Sequence, residues 1–105
     1  MTNTELFQLQ ESASLATKLL KSMSNSKRLL ILCTLIDRPG TSSGDLGLLT
    51  GLTPSATSQH LAKMKEDGLI ESERVAKRVN YFIKDEAVKK IIYTLKDIYC
   101  PEDFK

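Results

Sequence analysis

The sequence contains no run of apolar residues close to the roughly 18 that a membrane-spanning helix needs. Its amino end, MTNTELFQLQ, is neither basic nor followed by an apolar signal segment. We therefore expect a cytoplasmic protein without a membrane partner. Only two cysteines are present, Cys33 and Cys100. Because the cytoplasm disfavours permanent disulfides, these thiols are predicted to be buried fillers, metal ligands or a redox pair.

Motifs of enzyme active sites and metal centres are also missing. The one histidine, His60, has neither a second histidine nor an acidic partner at ligand spacing, so it is a poor metal ligand. The glycines Gly44, Gly47 and Gly51 punctuate a short helix and form no phosphate-cradling loop. No Cys/His pair and no repeated carboxylate motif has catalytic spacing. We expect no enzymatic activity, no cofactor and no metal.

The length and composition predict one compact domain. At 105 residues, 41% hydrophobic and 27% charged, the chain is predicted to form a single domain over residues 1–105. Apolar residues at three- and four-residue steps predict a helix within residues 1–23. The very apolar segment KRLLILCTLI predicts the central core helix, which Pro39-Gly40 ends. Because so short a chain buries only a modest core, sharing it through a homodimer would supplement its stability.

The rest of the chain predicts two short helices, a β-hairpin and a last helix. Ser42 and Thr53 are predicted to cap the two short helices, which the tight connection TGLTP joins. The strand-like runs LIESERV and RVNYFIKD follow, with a longer, mobile loop expected around Val75 to Lys77 because that turn lacks Gly and Asn. Asp85 is predicted to cap the last helix. The predicted fold is mainly α with a small β-hairpin, in the order α-α-α-α-β-β-α.

This order is typical of a winged helix-turn-helix, with the helix-turn-helix at residues 42–66 and the wing at residues 69–84. In such a motif the second helix enters the DNA major groove amino end first. Here that helix begins with short hydroxyl and amide side chains, and the hairpin after it is basic. Although many surface helices are simply polar, this context predicts binding to double-stranded DNA, with Gln59 able to pair with an adenine edge. The predicted DNA-binding residues are Ser55, Thr57, Ser58, Gln59, His60, Lys63, Lys77 and Arg78, of which His60 either fixes the recognition helix by a hydrogen bond or contacts a phosphate.

The segment SATSQHLAKMKEDGLI and the later KRVNYFI resemble the ArsR/SmtB family of bacterial winged-helix repressors. The pattern S-x-x-S-Q-H-L, followed downstream by E-x-G-L-I, carries the resemblance, and the element order extends it over nearly the whole chain. The resemblance implies a homodimer built from the first and last helices, residues 1–23 and 85–100, which binds a two-fold symmetric operator. It also implies that an inducer or a chemical modification weakens the DNA complex.

The position of the cysteines resembles one branch of that family. Metal-sensing members carry cysteines in the third helix or histidine–aspartate pairs on the last one, whereas here SSGDLGLLTG lacks cysteine and DEAVKKIIYTLKDIY lacks histidine. Cys33 in RLLILC and Cys100 in YC instead resemble the persulfide- and oxidant-responsive BigR/HlyU/YgaV-like repressors. That resemblance implies that both cysteines lie close within one protomer. It further implies that a reactive sulfur species or an oxidant, as inducer, links them by a disulfide or polysulfide bridge.

Other interpretations of the same residues stay open. Cys33 could be a core filler, since free cysteine is among the most buried residue types, in a repressor that responds to another ligand or metal. The fold could also be a protein-interaction module that no longer binds DNA, although the basic Lys63, Lys77 and Arg78 argue against this. Both a helix carboxyl end and an apolar helix interior disfavour a thiolate. Tertiary contacts, for example with a nearby lysine, would have to activate the thiols.

Overall fold

Between residues 1 and 100, the part of the chain that the computed structural model describes, there are five helices and three strands. Residues 101–105, the end of the predicted domain, lie outside the described residues. The helices and strands confirm the predicted mainly α fold with a β-hairpin. In chain order the elements are α1 (Asn3–Met23), α2 (Ser26–Asp37), β1 (Thr41–Ser42), α3 (Ser43–Thr50), α4 (Pro54–Glu66), β2 (Ile70–Val75), β3 (Arg78–Ile83) and α5 (Glu86–Tyr99).

Capping side chains define where the helices of the motif begin, as predicted. The hydroxyls of Ser42 and Thr53 and the carboxylate of Asp85 accept backbone N–H bonds in the first turns of α3, α4 and α5. Gly51 ends α3 in the left-handed region, with φ +71°, where a residue with a Cβ is disfavoured. These local signals fix the short connection between α3 and α4, and therefore the orientation of α4 relative to α3.

The three strands form one antiparallel sheet in the order β1-β3-β2. In the hairpin, the register runs from Ile70 opposite Ile83 to Val75 opposite Arg78. The strand β1 adds one more ladder, in which Thr41 pairs with Tyr81. The sheet therefore joins the loop before α3 to the wing, and holds the wing against the helix-turn-helix.

Two details of the sheet differ from the prediction. The element order includes β1, which was not expected because a strand of two residues has no alternating pattern to detect. The expected longer loop in the hairpin was wrong, since only Ala76 and Lys77 separate β2 from β3. Ala76 adopts φ +57°, a left-handed conformation that costs a non-glycine residue roughly 1 kcal/mol and here permits the tight turn.

The hydrophobic core lies where α2 meets the remaining elements, as the apolar segment KRLLILCTLI predicted. Ile31 and Leu32 in α2 are fully buried, and Leu35 is 2% exposed. Burying side chains of this size contributes about 1.5–3 kcal/mol each. The core residues are Met23, Ile31, Leu32, Leu35, Leu46, Leu61, Met64, Leu69, Ile70, Ile83, Val88 and Ile92.

The long helix α1 joins this core only near its carboxyl end. Met23 is buried and Leu19 is partly buried, whereas Leu6, Leu9 and Leu20 remain about half exposed at 46%, 54% and 52%. Neither α1 nor another helix within residues 1–100 combines the length and the apolar character that crossing a membrane requires. An apolar face of this kind is unusual on an isolated domain and marks a surface of association.

Candidate DNA-binding surface and thiol site

The helix α4 is seated on α3 through a close approach at Gly47. A Cβ on Gly47 would lie 3.0 Å from Thr57 Oγ1 and 3.5 Å from the Leu52 carbonyl oxygen. The Leu52 N–H also donates to the Gly47 carbonyl at 3.1 Å. Glycine at this position therefore lets the two helices of the motif pack at short distance, and it fixes which face of α4 is turned outward.

The outward face of α4 carries three of the predicted DNA-binding residues. Ser55, Ser58 and Gln59 are exposed on the first two turns of the helix, as a recognition helix requires. Thr57 is different, because it is only 1% exposed and its hydroxyl donates to the Thr53 carbonyl at 2.8 Å. The prediction that Thr57 contacts DNA is corrected by this placement. Thr57 packs against Gly47 and belongs to the interior of the helix-turn-helix.

His60 ties α4 to α2. Its Nδ1 accepts a hydrogen bond of 3.0 Å from Arg28 Nε, and Arg28 Nη1 donates to the Ser22 carbonyl at 3.0 Å. Burial, together with the Arg28 guanidinium, lowers the pKa of His60 below its ordinary value. The imidazole is therefore neutral at pH 7 and able to accept this bond. Of the two roles predicted for His60, the geometry matches the one in which a hydrogen bond fixes the recognition helix.

The protonation of His60 gives a testable pH dependence. Because its pKa is lower in the folded chain than the ordinary 6.5, the unfolded chain binds more protons just below that pH. The stabilising contribution is complete above about pH 6.5 and is lost as the pH falls through the folded-state pKa. We expect urea unfolding between pH 8 and pH 5 to show this loss in the native chain and to show less of it in His60→Gln. Identical pH dependence of the two unfolding free energies would contradict this role.

The three basic residues that were predicted to contact DNA differ in their partners in the free protein. Lys63 forms an ion pair of 3.3 Å with Asp67 on α4's carboxyl side, and Arg78 forms one of 3.0 Å with Asp45 on α3. Both cations are more than half exposed, at 52% for Lys63 and 60% for Arg78, so each pair contributes only about 0–1 kcal/mol and a phosphate can replace the carboxylate. Lys77, at the tip of the wing, is exposed. We call the exposed polar residues of α4 and the wing the recognition surface (Ser55, Ser58, Gln59, Lys77 and Arg78).

The two cysteines lie on helices that pack against each other. Cys33 is on α2, Cys100 ends α5, and both are free and half-buried. Burial raises the pKa of the Cys33 thiol, the Lys96 ammonium opposes that rise, and the charges of Cys100 and Asp37 add to it. Because the charge of Cys100 also acts on the pKa of Cys33, the two side chains lie in the same region, where α2 packs against α5. A bridge between them requires that one thiol becomes a thiolate and that the two sulfur atoms come within bonding distance.

Lys96 was not among the predicted site residues. Its Nζ lies 2.6 Å from Asp37 Oδ1, although its own side chain is only 10% exposed. The sequence did carry a signal for it, because Lys96 continues the spacing of the buried Val88 and Ile92 on α5. A lysine on the buried stripe of an amphipathic helix is exceptional and points to a paired charge.

No group of three or more His, Cys, Asp or Glu side chains within residues 1–100 is arranged to hold a metal ion. The acidic residues at the start of the last helix belong to no such group either. Asp85 caps α5 and Glu86 pairs with Lys89 at 3.1 Å, so both have structural partners. The local chemistry is that of two thiols near an ion pair, in which the Lys96 side chain is buried and that of Asp37 is 57% exposed.

Comparison with known proteins gives consistent matches. The family model described as "Bacterial regulatory protein, arsR family" matches residues 25–72. The "HTH-type transcriptional regulator YgaV" of Escherichia coli K12 is 62% identical, over 93% of this chain and 99% of its own. Among solved structures, reduced HlyU from Vibrio cholerae superposes with a TM-score of 0.85 at 38% identity, covering 90% of this chain and 98% of that one. The transcriptional repressor BigR from Xylella fastidiosa gives a TM-score of 0.81 at 27% identity, covering 97% and 100%.

Proposed function

The chain belongs to the arsR family of bacterial regulatory proteins and is a transcriptional regulator, and from this premise we propose that it is a homodimeric repressor controlled by its two thiols. A bridge between Cys33 and Cys100 lowers its affinity for operator DNA. The similar proteins are DNA-binding regulators and not enzymes, so the prediction of a non-enzymatic protein is confirmed. Its place of action is the cytoplasm.

DNA binding is assigned to the helix-turn-helix at residues 42–66 and the wing at residues 69–84. Exposed hydroxyl and amide groups at the start of α4 and exposed cations on the wing support readout of base edges together with phosphate contact. Lys63 contributes a further phosphate contact once DNA displaces Asp67. His60 acts behind this surface by holding α4 to Arg28.

Dimerisation is assigned to the first and last helices, residues 1–23 and 85–100. Apolar side chains with no place in the core line both of them, including Leu6 and Leu9 on α1 and Tyr93 and Tyr99 on α5. Association through these helices buries that surface and sets two recognition helices at a fixed separation. A two-fold symmetric operator with matching half-sites follows from this geometry.

The observation that carries the thiol assignment is the juxtaposition of Cys33 and Cys100 on packed helices of one protomer. A thiolate attacks a sulfane sulfur of a polysulfide, which forms a cysteine persulfide and releases the shortened polysulfide. The second cysteine then attacks the persulfide, so that a disulfide forms and hydrogen sulfide leaves. Two thiols lose two electrons and two protons, and the polysulfide takes them up. With hydrogen peroxide, the same electrons and protons yield water.

The bridge has a physical route to the DNA-binding surface. It fastens α2 to α5, and α2 is in turn joined to α4 by the bond between Arg28 and His60. A change in the angle between α2 and α5 therefore shifts the recognition helix relative to the dimerisation helices. A coupling of about 1–3 kcal/mol would weaken operator binding by about five- to 150-fold.

One observation favours a second candidate function. Cys33 packs against the core beside partly buried apolar residues, as a cysteine serving only as a filler would. In that case the protein is a regulator of the same family that answers a different ligand or metal. The relative HlyU of Vibrio cholerae is named a transcriptional activator, so the direction of regulation is also part of the proposal.

The intact mass of the reduced protein after brief exposure to a polysulfide, compared with hydrogen peroxide, tests the chemistry. We expect a loss of two hydrogens on bridging, with one sulfur mass added for each inserted atom. Cys33→Ser and Cys100→Ser are the matched controls, because each keeps the side-chain size and removes one partner of the bridge. A persulfide on the one remaining cysteine is expected in either control, but the loss of two hydrogens is not. That loss in a control chain, or an unchanged mass in the native chain, contradicts the proposal and favours the second candidate.

A further inference from the structure

A buried lysine occupies a position on α5 that packing alone would assign to an apolar residue. Val88, Ile92 and Lys96 follow one another at four-residue spacing, and all three are buried. The Lys96 side chain is buried, whereas that of its partner Asp37 is 57% exposed. An apolar residue would fill the position on α5 without burying a charge, so packing does not explain a lysine here. The explanation lies in what surrounds its ammonium group.

Lys96 and its partner each lie one helical turn from a cysteine. Asp37 follows Cys33 by four residues on α2, and Lys96 precedes Cys100 by four residues on α5. Residues at that spacing share a face of a helix. The ion pair of 2.6 Å between Lys96 and Asp37 therefore closes a cluster of four side chains between the two helices. We call it the thiol–lysine cluster (Cys33, Asp37, Lys96 and Cys100).

The charges within this cluster act in opposite directions on Cys33. Burial raises the pKa of that thiol, Lys96 lowers it, and Cys100 and Asp37 raise it further. The hydrogen bond to Asp37 is the main cause that raises the pKa of Lys96, against the effect of burial, so the amine stays protonated. Among the charges that act on Cys33, Lys96 is the one that favours its thiolate.

We propose that Lys96 is a positioning residue of the thiol switch, whose ammonium, held in place by Asp37, stabilises the Cys33 thiolate that attacks the sulfur donor. The inference rests on the thiol switch proposed above and names the group that activates it. The Cys33 proton passes to water, the thiolate sulfur bonds to the sulfane sulfur, and the S–S bond of the polysulfide breaks with its shortened fragment as leaving group. Lys96 takes no part in bond formation and acts only by its charge.

The test uses the full chain in a Cys100→Ser background, so that Cys33 is the single thiol. The rate of alkylation of Cys33 by iodoacetamide is followed by intact mass as a function of pH, because this reaction requires the thiolate. Three substitutions are compared with the background chain: Lys96→Met, Lys96→Arg and Asp37→Asn. Thermal unfolding of each chain verifies that it is folded under the conditions of the assay.

The two partners of the ion pair are expected to shift the alkylation profile in opposite directions. Lys96→Met moves its midpoint up by about one pH unit, and Lys96→Arg leaves it near that of the background chain. Asp37→Asn moves the midpoint down, because asparagine keeps an oxygen that can accept the Lys96 hydrogen bond but carries no negative charge. At a pH below the midpoint, a midpoint shift of about one pH unit changes the thiolate fraction of Cys33 about tenfold. Because a more acidic thiol is a weaker nucleophile, the resulting change in the alkylation rate is smaller by about threefold.

A purely structural ion pair would behave otherwise. Both Lys96→Met and Asp37→Asn remove the same ion pair, so shifts in the same direction, or no shifts, would overturn the role of Lys96. The proposed function fails separately, if polysulfide forms no bridge in the chain that retains both cysteines. The alkylation profile does not depend on a bridge, so the two failures are distinguishable.

Discussion

Replacing Gln59 with alanine is expected to weaken operator binding by about a hundredfold, because a homodimer loses the same base contact at two half-sites. One good contact to a base edge contributes about 1–3 kcal/mol, and the two losses add when the half-sites are independent. Gln59 lies exposed on the outward face of α4, whereas its neighbour His60 is engaged with Arg28. The substitution removes no internal contact, so the fold should be unaffected.

Fluorescence anisotropy with the DNA upstream of the protein's own gene, at one fixed salt concentration, measures this effect. Gln8→Ala is the control matched in residue type, since Gln8 is an exposed glutamine of α1, outside the recognition surface. Because α1 is an assigned dimerisation helix, sedimentation equilibrium first verifies that this variant has the mass of the native protein. A second titration with DNA of scrambled sequence separates specific from non-specific binding. Equal affinity of the native chain and Gln59→Ala for the upstream DNA would show that α4 does not read bases through this residue.

Introducing charge into the exposed apolar face of α1 is expected to separate the dimer and to weaken operator binding by about a thousandfold or more. The double substitution Leu6→Glu and Leu9→Glu places four carboxylates in the assigned interface of a homodimer. Their desolvation would exceed the apolar contribution they replace. A monomer keeps the contacts of only one half-site, which removes about half of the binding free energy of a specific complex.

Sedimentation equilibrium gives the mass of the native and substituted chains, and the titration above gives their affinity. Leu48→Glu is the control for mass, because Leu48 is 83% exposed on α3, outside the two assigned dimerisation helices. Since Leu6 and Leu9 are half exposed in the single chain, circular dichroism should show the same helix content in all three proteins. A double variant that stays dimeric would move the interface away from α1.

Much of the fold could be predicted because its signals are local. Capping by Ser42, Thr53 and Asp85 and the apolar spacing of α2 and α5 depend on residues close in sequence. The strand β1 could not be predicted, since two residues acquire strand geometry only by pairing with distant β3. The tight wing turn was missed because Ala76 accepts a conformation that glycine usually supplies, and the sheet on either side holds it there.

The same distinction between local signals and contacts of distant elements applies to the site. The polar start of α4 was visible in sequence, but the helical phase that buries Thr57 against Gly47 depends on how α3 and α4 pack. The pairing of Cys33 with Cys100 came from a resemblance, because no spacing in the chain brings positions so far apart together. The position of Lys96 on the buried stripe of α5 was visible in sequence, but its pairing with Asp37 on α2 was not.

The central claim is that a bridge between Cys33 and Cys100 lowers the affinity for operator DNA, and one comparison tests it most directly. Operator affinity is measured for the reduced protein and for the polysulfide-treated protein, in the native chain and in Cys33→Ser. We predict that treatment weakens binding by about five- to 150-fold in the native chain and that a reductant restores it, while Cys33→Ser binds equally well before and after. Unchanged affinity of a native chain whose mass shows the bridge would contradict the account.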